Sequence, residues 1–335
     1  MSVEDQSLPL PKNLYIETTN RCNLRCKGCI LYRGTRKPER DISLDELIMI
    51  TDQLPRLERA ALHGVGEPLL NQNLPGMIRH LKKRDVFVLF NSNGILLDEK
   101  WQNALIDTGL DELRISLDAA SPEGYENIRN QIAFSRIVKN LRIFVELQKK
   151  RKTARPKLSI WFLGTKDNIE ELPNVMRLSA DIGIKEVYLQ RLVYYLDDNG
   201  YGVARRQKSL QNSGDSALVL IQKSQELANR LGIQFNASGL CNPLESVQPE
   251  SVGQMPWSGC YRPTSLMYIT ANGNVLPCCI SPFSTVDYSA VILGNVFESS
   301  MAEIWSDTSY GNFRKQLHTK NPPICCRGCG VLWSL

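Results

Sequence analysis

The segment Cys22-Asn-Leu-Arg-Cys26-Lys-Gly-Cys29 packs three cysteines into eight residues. With three and then two residues between thiols, such a loop wraps three ligands round one corner of a metal cluster and cannot supply a fourth. Iron-sulfur clusters are held by cysteine thiolates, and a four-iron cluster with three protein ligands keeps one iron open to an outside ligand. Structural metal sites are closed, whereas catalytic ones keep an open position. The competing readings are a disulfide group and half of a zinc site. Disulfide frameworks belong to short secreted chains, and a zinc site would more naturally show paired cysteines with a matched second pair. The rest of the chain is read as scaffold, cosubstrate grip and second site arranged around this loop.

Leu14-Tyr-Ile-Glu-Thr-Thr19 reads as a strand that delivers the loop. Ser43-Leu-Asp-Glu46 is a capping box, with Leu44, Leu47 and Ile48 following at helical spacing. Further strands are expected over 59–62, 86–90, 113–117, 158–163 and 186–190, the second ending in His63-Gly-Val-Gly-Glu-Pro68. Asp98 caps a helix that Gly109 stops, and Pro122 follows Ser121 at a favoured first helical position. Helices are also expected over 134–145, 169–182 and 216–231, the last two stopped by Gly183 and Gly232, and 233–235 is a candidate short strand. Six strands alternating with helices argue for a parallel sheet with right-handed crossovers. The polar and glycine-rich motifs sit at the carboxyl ends of strands, where barrel active sites are built. Periodicity alone does not separate an open doubly wound sheet from a barrel.

The cysteine loop after a first strand resembles the signature of the radical S-adenosylmethionine (radical SAM) enzymes. That resemblance implies a partial (βα)6 TIM-like barrel, an α/β fold, in which SAM chelates the open iron of a 4Fe-4S cluster. It also implies reductive cleavage of SAM to a 5'-deoxyadenosyl radical that takes a hydrogen atom from substrate. Gly64, Gly66, Glu67 and Pro68 resemble the family's glycine-glutamate-proline motif, whose backbone grips the SAM amino group. Glycine suits that task because it lets backbone approach a ligand closely. Asn91 and Asn93, Ser116 and Asp118 match polar positions near the SAM ribose and carboxylate, although such residues also favour ordinary strand-end turns. Arg129 matches an arginine used against the SAM carboxylate, since its planar fork recognises carboxylates; the alternative is a surface arginine. Gln190 and Leu192 fall where the family contacts adenine through backbone. Gly28 departs from the usual aromatic or aliphatic residue before the third cysteine, which moves adenine packing elsewhere, Tyr32 being the candidate. His63 is read as a hydrogen-bonded strand-end histidine rather than a proton relay.

The tail carries Cys260, then seventeen residues to Cys278, then Cys326-Arg-Gly-Cys329. Four ligands close a site. Asn272-Gly273, flanked by β-formers, signals a two-residue hairpin turn that brings Cys278 back towards Cys260. The pattern resembles the twitch domain, a shortened SPASM domain with one auxiliary 4Fe-4S cluster, because a full SPASM domain continues beyond the Cys-x-x-Cys. Cys279 or Cys325 can substitute for an adjacent ligand, and four-thiolate zinc is the structural alternative. The expected organisation is a core over 1–195, a connector with a helix over 196–255 and a small hairpin and helix domain over 256–335.

A formal charge of +5, with 40 basic against 35 acidic residues, implies no strong field for nucleic acid or membrane. The basic run Lys149-Lys-Arg-Lys152 falls at an expected helix end, where cations complement the dipole. No apolar run is long enough to span a bilayer and no secretory h-region precedes residue 12, so a cytoplasmic location is expected. Ten cysteines in such a chain point to metal binding.

The leading functional expectation is a radical SAM oxidoreductase in which substrate loses a hydrogen atom and then an electron to the auxiliary cluster. The tail spacing resembles that of an inosamine dehydrogenase, which oxidises an alcohol this way; the resemblance covers ligand pattern and order and leaves the substrate open between a sugar-like small molecule and a peptide, with a flavodoxin or ferredoxin as reductant. A second expectation is epimerisation of a sugar or peptide residue with Cys241, outside both constellations, as hydrogen donor; a free cysteine is otherwise a small buried hydrophobe. A third is peptide or protein maturation, disfavoured by the short stretch before the first strand. A zinc-stabilised binding protein is the non-enzymatic reading. Tyr194, Tyr195, Asp197 and Asp198, after the sixth strand, are candidates for the substrate wall.

Overall fold

Side-chain caps start the helices where the sequence places them. Ser43 and Glu46 form the reciprocal capping box of Leu44–Asp52, Asp98 accepts from the Trp101 amide ahead of Glu99–Asp107, and Ser121 accepts from the Gly124 amide ahead of Pro122–Arg129. Left-handed glycines end the helices Leu172–Ile182 and Asp215–Leu231, Gly183 at φ 94° and Gly232 at φ 66°. A helix over Leu74–Lys82, absent from the expectations, buries Leu74, Met77, Ile78 and Leu81 at helical spacing. The computed structural model describes residues 8–27, 29–33, 37–192, 206–210, 214–238, 242–247, 259–283 and 287–327.

The strands are β1 (Asn13–Ile16), β2 (Arg59–Ala61), β3 (Phe87–Ser92), β4 (Glu112–Ser116), β5 (Lys157–Gly164), β6 (Glu186–Arg191), β7 (Gln234–Ala237), β8 (Leu266–Ile269), β9 (Asn274–Leu276) and β10 (Gly294–Asn295). From β1 to β7 they pair in parallel in chain order. Successive crossovers therefore move in one direction, and the sheet ends at β7 without closing, which makes a partial barrel. The barrel is one strand longer than the six expected, because 234–237 joins the β6 edge.

Alternation along the strands separates two faces. Leu14, Ile16, Ala60, Leu62, Val88, Phe90, Ile160 and Phe162 point one way and merge with Ile137, Leu141 and Phe144 of the helix Phe134–Lys150 in the main core. Fully burying one such phenylalanine contributes roughly 1.5–3 kcal/mol. Tyr15, Ala61 and Leu89 point the other way and pack with Leu266, Tyr268, Leu276 and Phe313 from the C-terminal third.

That third is continuous with the barrel. β8 pairs in parallel with β1, Asn13 opposite Leu266 and Ile16 opposite Ile269, and β9 and β10 extend the edge antiparallel. One hydrogen-bonded sheet thus runs through all three expected segments. The β8–β9 turn corrects the two-residue expectation. A two-residue Asn-Gly turn needs positive φ at both residues, but in this stretch only Gly273 has it, at 83°. The Gly273 amide donates to the Thr270 carbonyl at 2.9 Å, giving a three-residue loop. Asn272 is held by tertiary contacts instead, its Oδ1 accepting from Asn20 at 3.2 Å and its Nδ2 donating to the Pro38 carbonyl at 3.2 Å.

The two tail helices are Met301–Ser306 and Thr308–Leu317. Between them Arg314 is buried against the rings of Trp305 and Tyr310 at 4.2 and 4.1 Å, donating to the Pro263 and Trp305 carbonyls. Among the described residues no helix is long and apolar enough to cross a membrane.

Candidate active site

The inner face of the curled sheet encloses a cavity of about 770 Å³, walled by side chains from β1 through β8. The cysteine loop forms part of its rim. Cys22, Cys26 and Cys29 all line it, and Gly28 and the side chain of Tyr32 lie outside the described residues. The Cys29 amide donates to the Cys26 carbonyl at 3.1 Å, and the Leu24 amide donates to Cys22 Sγ at 3.4 Å, which sets the loop's curl. Burial pushes the Cys22 thiol up to about 12 and the Cys29 thiol upward. These thiols become thiolates only around a bound cation, the usual coupling of metal and proton release.

None of the eight described cysteines forms a disulfide. Nor do any three His, Cys, Asp or Glu among the described residues converge on a point fit for one metal ion. Three thiols that line one cavity and feel one another electrostatically would suit a polynuclear cluster.

Arg129 completes this rim. It pairs with Asp118 and donates through Nη1 to Cys26 Sγ at 3.8 Å. Burial alone would lower its basicity, but Asp118 and the Cys26 sulfur outweigh that and raise it. Asp118 is fixed by accepting from the Leu163 amide at 2.8 Å.

Glu67 ties the glycine motif to the end of β3. Its Oε1 accepts from Ser92 Oγ at 2.8 Å and the Leu69 amide at 3.2 Å, and its Oε2 from the Asn93 amide at 2.8 Å. Burial pushes this carboxyl up to about 7 despite those bonds. Asn93 in turn donates to Asn23 Oδ1 at 2.8 Å, so the chain from Glu67 ends on the cysteine loop. The glycines owe their identity to space: a Cβ at Gly66 would lie 2.1 Å from the Thr19 carbonyl, and one at Gly64 2.0 Å from Glu17 Cγ.

Glu17 is the residue the sequence reading passed over. Its Oε1 accepts from Tyr268 Oη at 2.5 Å and the Val65 amide at 3.2 Å, and its Oε2 from the Ala271 amide at 3.1 Å. One buried carboxylate therefore joins β1, the glycine motif and the C-terminal hairpin. Its charge balance looks unremarkable in sequence because two of its partners are more than 250 positions away.

The depth of the cavity is also polar. Arg59, Glu112, Arg114 and Glu186 line it, with a stacked pair, Trp161 and Tyr188, at 4.0 Å. The available signal was polar residues at every second position of a strand, as in Glu112, Arg114 and Ser116, where a sheet buried on both faces reads apolar. His63 faces the same space, edge-on to Tyr15 at 5.5 Å. Its Nδ1 has no hydrogen-bond partner among the described residues, contrary to the hydrogen-bonded expectation.

The structure brings together all ten residues expected to grip SAM: Gly64, Gly66, Glu67, Asn91, Asn93, Ser116, Asp118, Arg129, Gln190 and Leu192 line this one cavity with the three cysteines. At its other side stands the cysteine-rich tail. Cys279 and Arg262 wall the cavity, and the Cys260 thiol, pushed up by burial, feels Cys326 and Cys279. Cys278 lies near Arg262, and Cys325 and Cys326 are 3.8 Å apart at sulfur. Cys329, Cys241, Tyr194, Tyr195, Asp197 and Asp198 lie outside the described residues.

Comparison with known proteins agrees with this geometry. Residues 16–179 match the radical SAM superfamily model and residues 260–330 the iron-sulfur cluster-binding SPASM domain. The chain is 24% identical over 314 residues to the tungsten-containing aldehyde ferredoxin oxidoreductase cofactor-modifying protein of Pyrococcus furiosus, covering 90% of this chain and 83% of that one. It is 25% identical over 324 residues to the PqqA peptide cyclase of Granulibacter bethesdensis, covering 95% and 79%. Among solved structures, Streptococcus suis SuiB bound to S-adenosylmethionine superposes with a TM-score of 0.71 at 19% identity, covering 96% of this chain and 71% of that one. SuiB bound to its precursor peptide SuiA superposes at 0.69 and 17%, covering 96% and 70%.

Proposed function

From its place among the radical SAM enzymes with a C-terminal SPASM-type iron-sulfur domain, we propose that this chain oxidises a residue of a peptide or protein, the tail cysteines receiving the electron. The sequence leaves the substrate open between a sugar-like small molecule and a peptide; likeness to PqqA peptide cyclase over 95% of the chain favours a peptide. The observation that carries the oxidative reading is that Cys279 and the loop cysteines wall one cavity. A cluster held by the tail cysteines would put an electron acceptor at the edge of that space.

Cys22, Cys26 and Cys29 would hold the first cluster and the tail cysteines the second; with SAM bound, the first supplies a hydrogen-abstracting 5'-deoxyadenosyl radical. The chain's own residues do the rest. Arg129, braced by Asp118, offsets negative charge at Cys26. Gly64 and Gly66 let the motif pack directly on Glu17 and on the Thr19 and Arg21 carbonyls, where a Cβ has no room. Glu67 and Asn93 hold the cysteine loop against β3. Trp161 and Tyr188 stack on each other in the cavity wall, with the Arg114 guanidinium over the Trp161 ring.

Anaerobic reconstitution should give about eight irons per chain, the content of two cubane clusters. Reduction with dithionite and SAM should yield 5'-deoxyadenosine and methionine, and Cys26→Ala should abolish both. With a pool of synthetic peptides, products two hydrogens lighter are expected. Cys278→Ala and Cys326→Ala should lose those products while still releasing 5'-deoxyadenosine. Zinc in both sites, or no 5'-deoxyadenosine from the reconstituted protein, overturns the proposal.

A further inference from the structure

Charge bookkeeping in the depth of the cavity leaves one cation over. Arg114 donates through Nη2 to Glu112 Oε2 at 2.9 Å and lies over the Trp161 ring at 4.1 Å. Glu186 is matched by Lys157 Nζ at 2.6 Å and accepts from Asn236 Nδ2 at 2.8 Å. Arg59, by contrast, makes no side-chain hydrogen bond or ion pair among the described residues. Its guanidinium faces the Tyr15 ring at 5.9 Å, and its Nη1 is buried without a partner. Arginine cannot shed its proton, and a half-buried charge without a counter-ion is costly.

Arg59 begins β2, whereas the glycine motif follows that strand's other end. The unmatched cation shares the cavity wall with Glu112 and Glu186, which likewise begin their strands, whereas Arg129 stands with the cysteine loop.

We propose that Arg59, flanked by Tyr15, His63 and Arg114, is a subsite for a carboxylate of the substrate. This rests on reading the cavity as a substrate site, though not on the clusters or the redox outcome. A single negative charge fits best. The charge of Arg114 is already matched by Glu112, only its Nε being left without a hydrogen-bond partner, and His63 stays neutral because burial and the two nearby arginines push it down to about 3. A phosphate ester, with nearly two charges at neutral pH, would be left under-compensated. The planar guanidinium fork is built for carboxylates. In a peptide this group is either an acidic side chain near the reacting residue or the C-terminal carboxylate.

Ligand-observed NMR on the reconstituted protein, anaerobic and saturated with SAM so that the Arg129 region is filled, tests this with three probes. N-acetylglutamate N-methylamide represents the side chain, N-acetylglycine the chain terminus, and N-acetylglutamine N-methylamide the neutral control. One carboxylate should bind about tenfold more tightly than the control, the scale of a charged hydrogen bond, and the better of the two identifies the source. Arg59→Gln should erase that preference and Arg59→Lys should keep part of it. Equal binding of all three probes to the unaltered protein overturns the subsite, as does a preference that survives in folded Arg59→Gln. Because the readout is binding, a protein that fails to cleave SAM can still pass, so the two proposals fail separately.

Discussion

His63 and Glu17 make predictions at the scale of single residues. Burial, and then Arg114 and Arg59, push the His63 imidazole down to about 3. Its ring signal, identified by its loss in His63→Asn, should not shift between about pH 5.5 and 8, the range in which an ordinary histidine titrates. The sign for stability follows. A histidine buried neutral stabilises the fold fully above its unfolded value of about 6.5, and that contribution is lost as pH falls towards about 3. His63→Asn should thus remove part of the acid sensitivity seen in denaturant unfolding. For Glu17, Tyr268→Phe deletes the 2.5 Å phenol donor, whereas Glu17→Gln disturbs bonds to Val65, Ala271 and Tyr268 together. Each unsatisfied buried group costs about 1–3 kcal/mol, so Glu17→Gln should destabilise more than Tyr268→Phe. It should also weaken SAM binding by calorimetry, because it loosens the glycine motif. Neither Glu17 nor Arg59 was legible in the sequence. A strand-end glutamate and a strand-start arginine are commonplace; they become informative only once the sheet curls and distant partners either arrive or fail to.

At the scale of elements, local chemistry was the readable part. Ser43, Asp98 and Ser121 are N-caps in the structure as in the sequence, since a cap needs only its next three residues. The β8–β9 turn was misread for the converse reason: Asn272 is claimed by Asn20 and Pro38, which no short window contains. Two glycines with positive φ separate backbone strain from packing. A Cβ at Gly109 meets nothing within 4 Å, whereas one at Gly273 would lie 2.3 Å from the Phe297 ring. Gly109→Ala should cost about 1–2 kcal/mol, the price of the left-handed backbone alone. Gly273→Ala should cost clearly more in urea unfolding, and should lower the iron content of the tail site while leaving that of the first loop.

For the whole molecule, the parallel barrel was legible because alternating strands and helices leave few topologies. The addition of β8 to β1 was not, because β-pairing partners carry no mark in local sequence. That pairing predicts a single cooperative unit. In hydrogen-exchange mass spectrometry, peptides containing β1 and β8 should exchange at matched rates across denaturant, and earlier opening of 259–327 with β1 still protected would contradict it.

The same pairing also has a consequence for synthesis. Tyr268 reaches Glu17 across 251 positions, so the wall that screens the cysteine loop from one side cannot form until the ribosome has made most of the chain. During that interval the nascent barrel has a bare β1 edge, an aggregation hazard, beside three accessible thiols. The period in which an iron-sulfur carrier has freest access to the first loop is then the period in which a chaperone is most needed, and closing β8 onto β1 ends both.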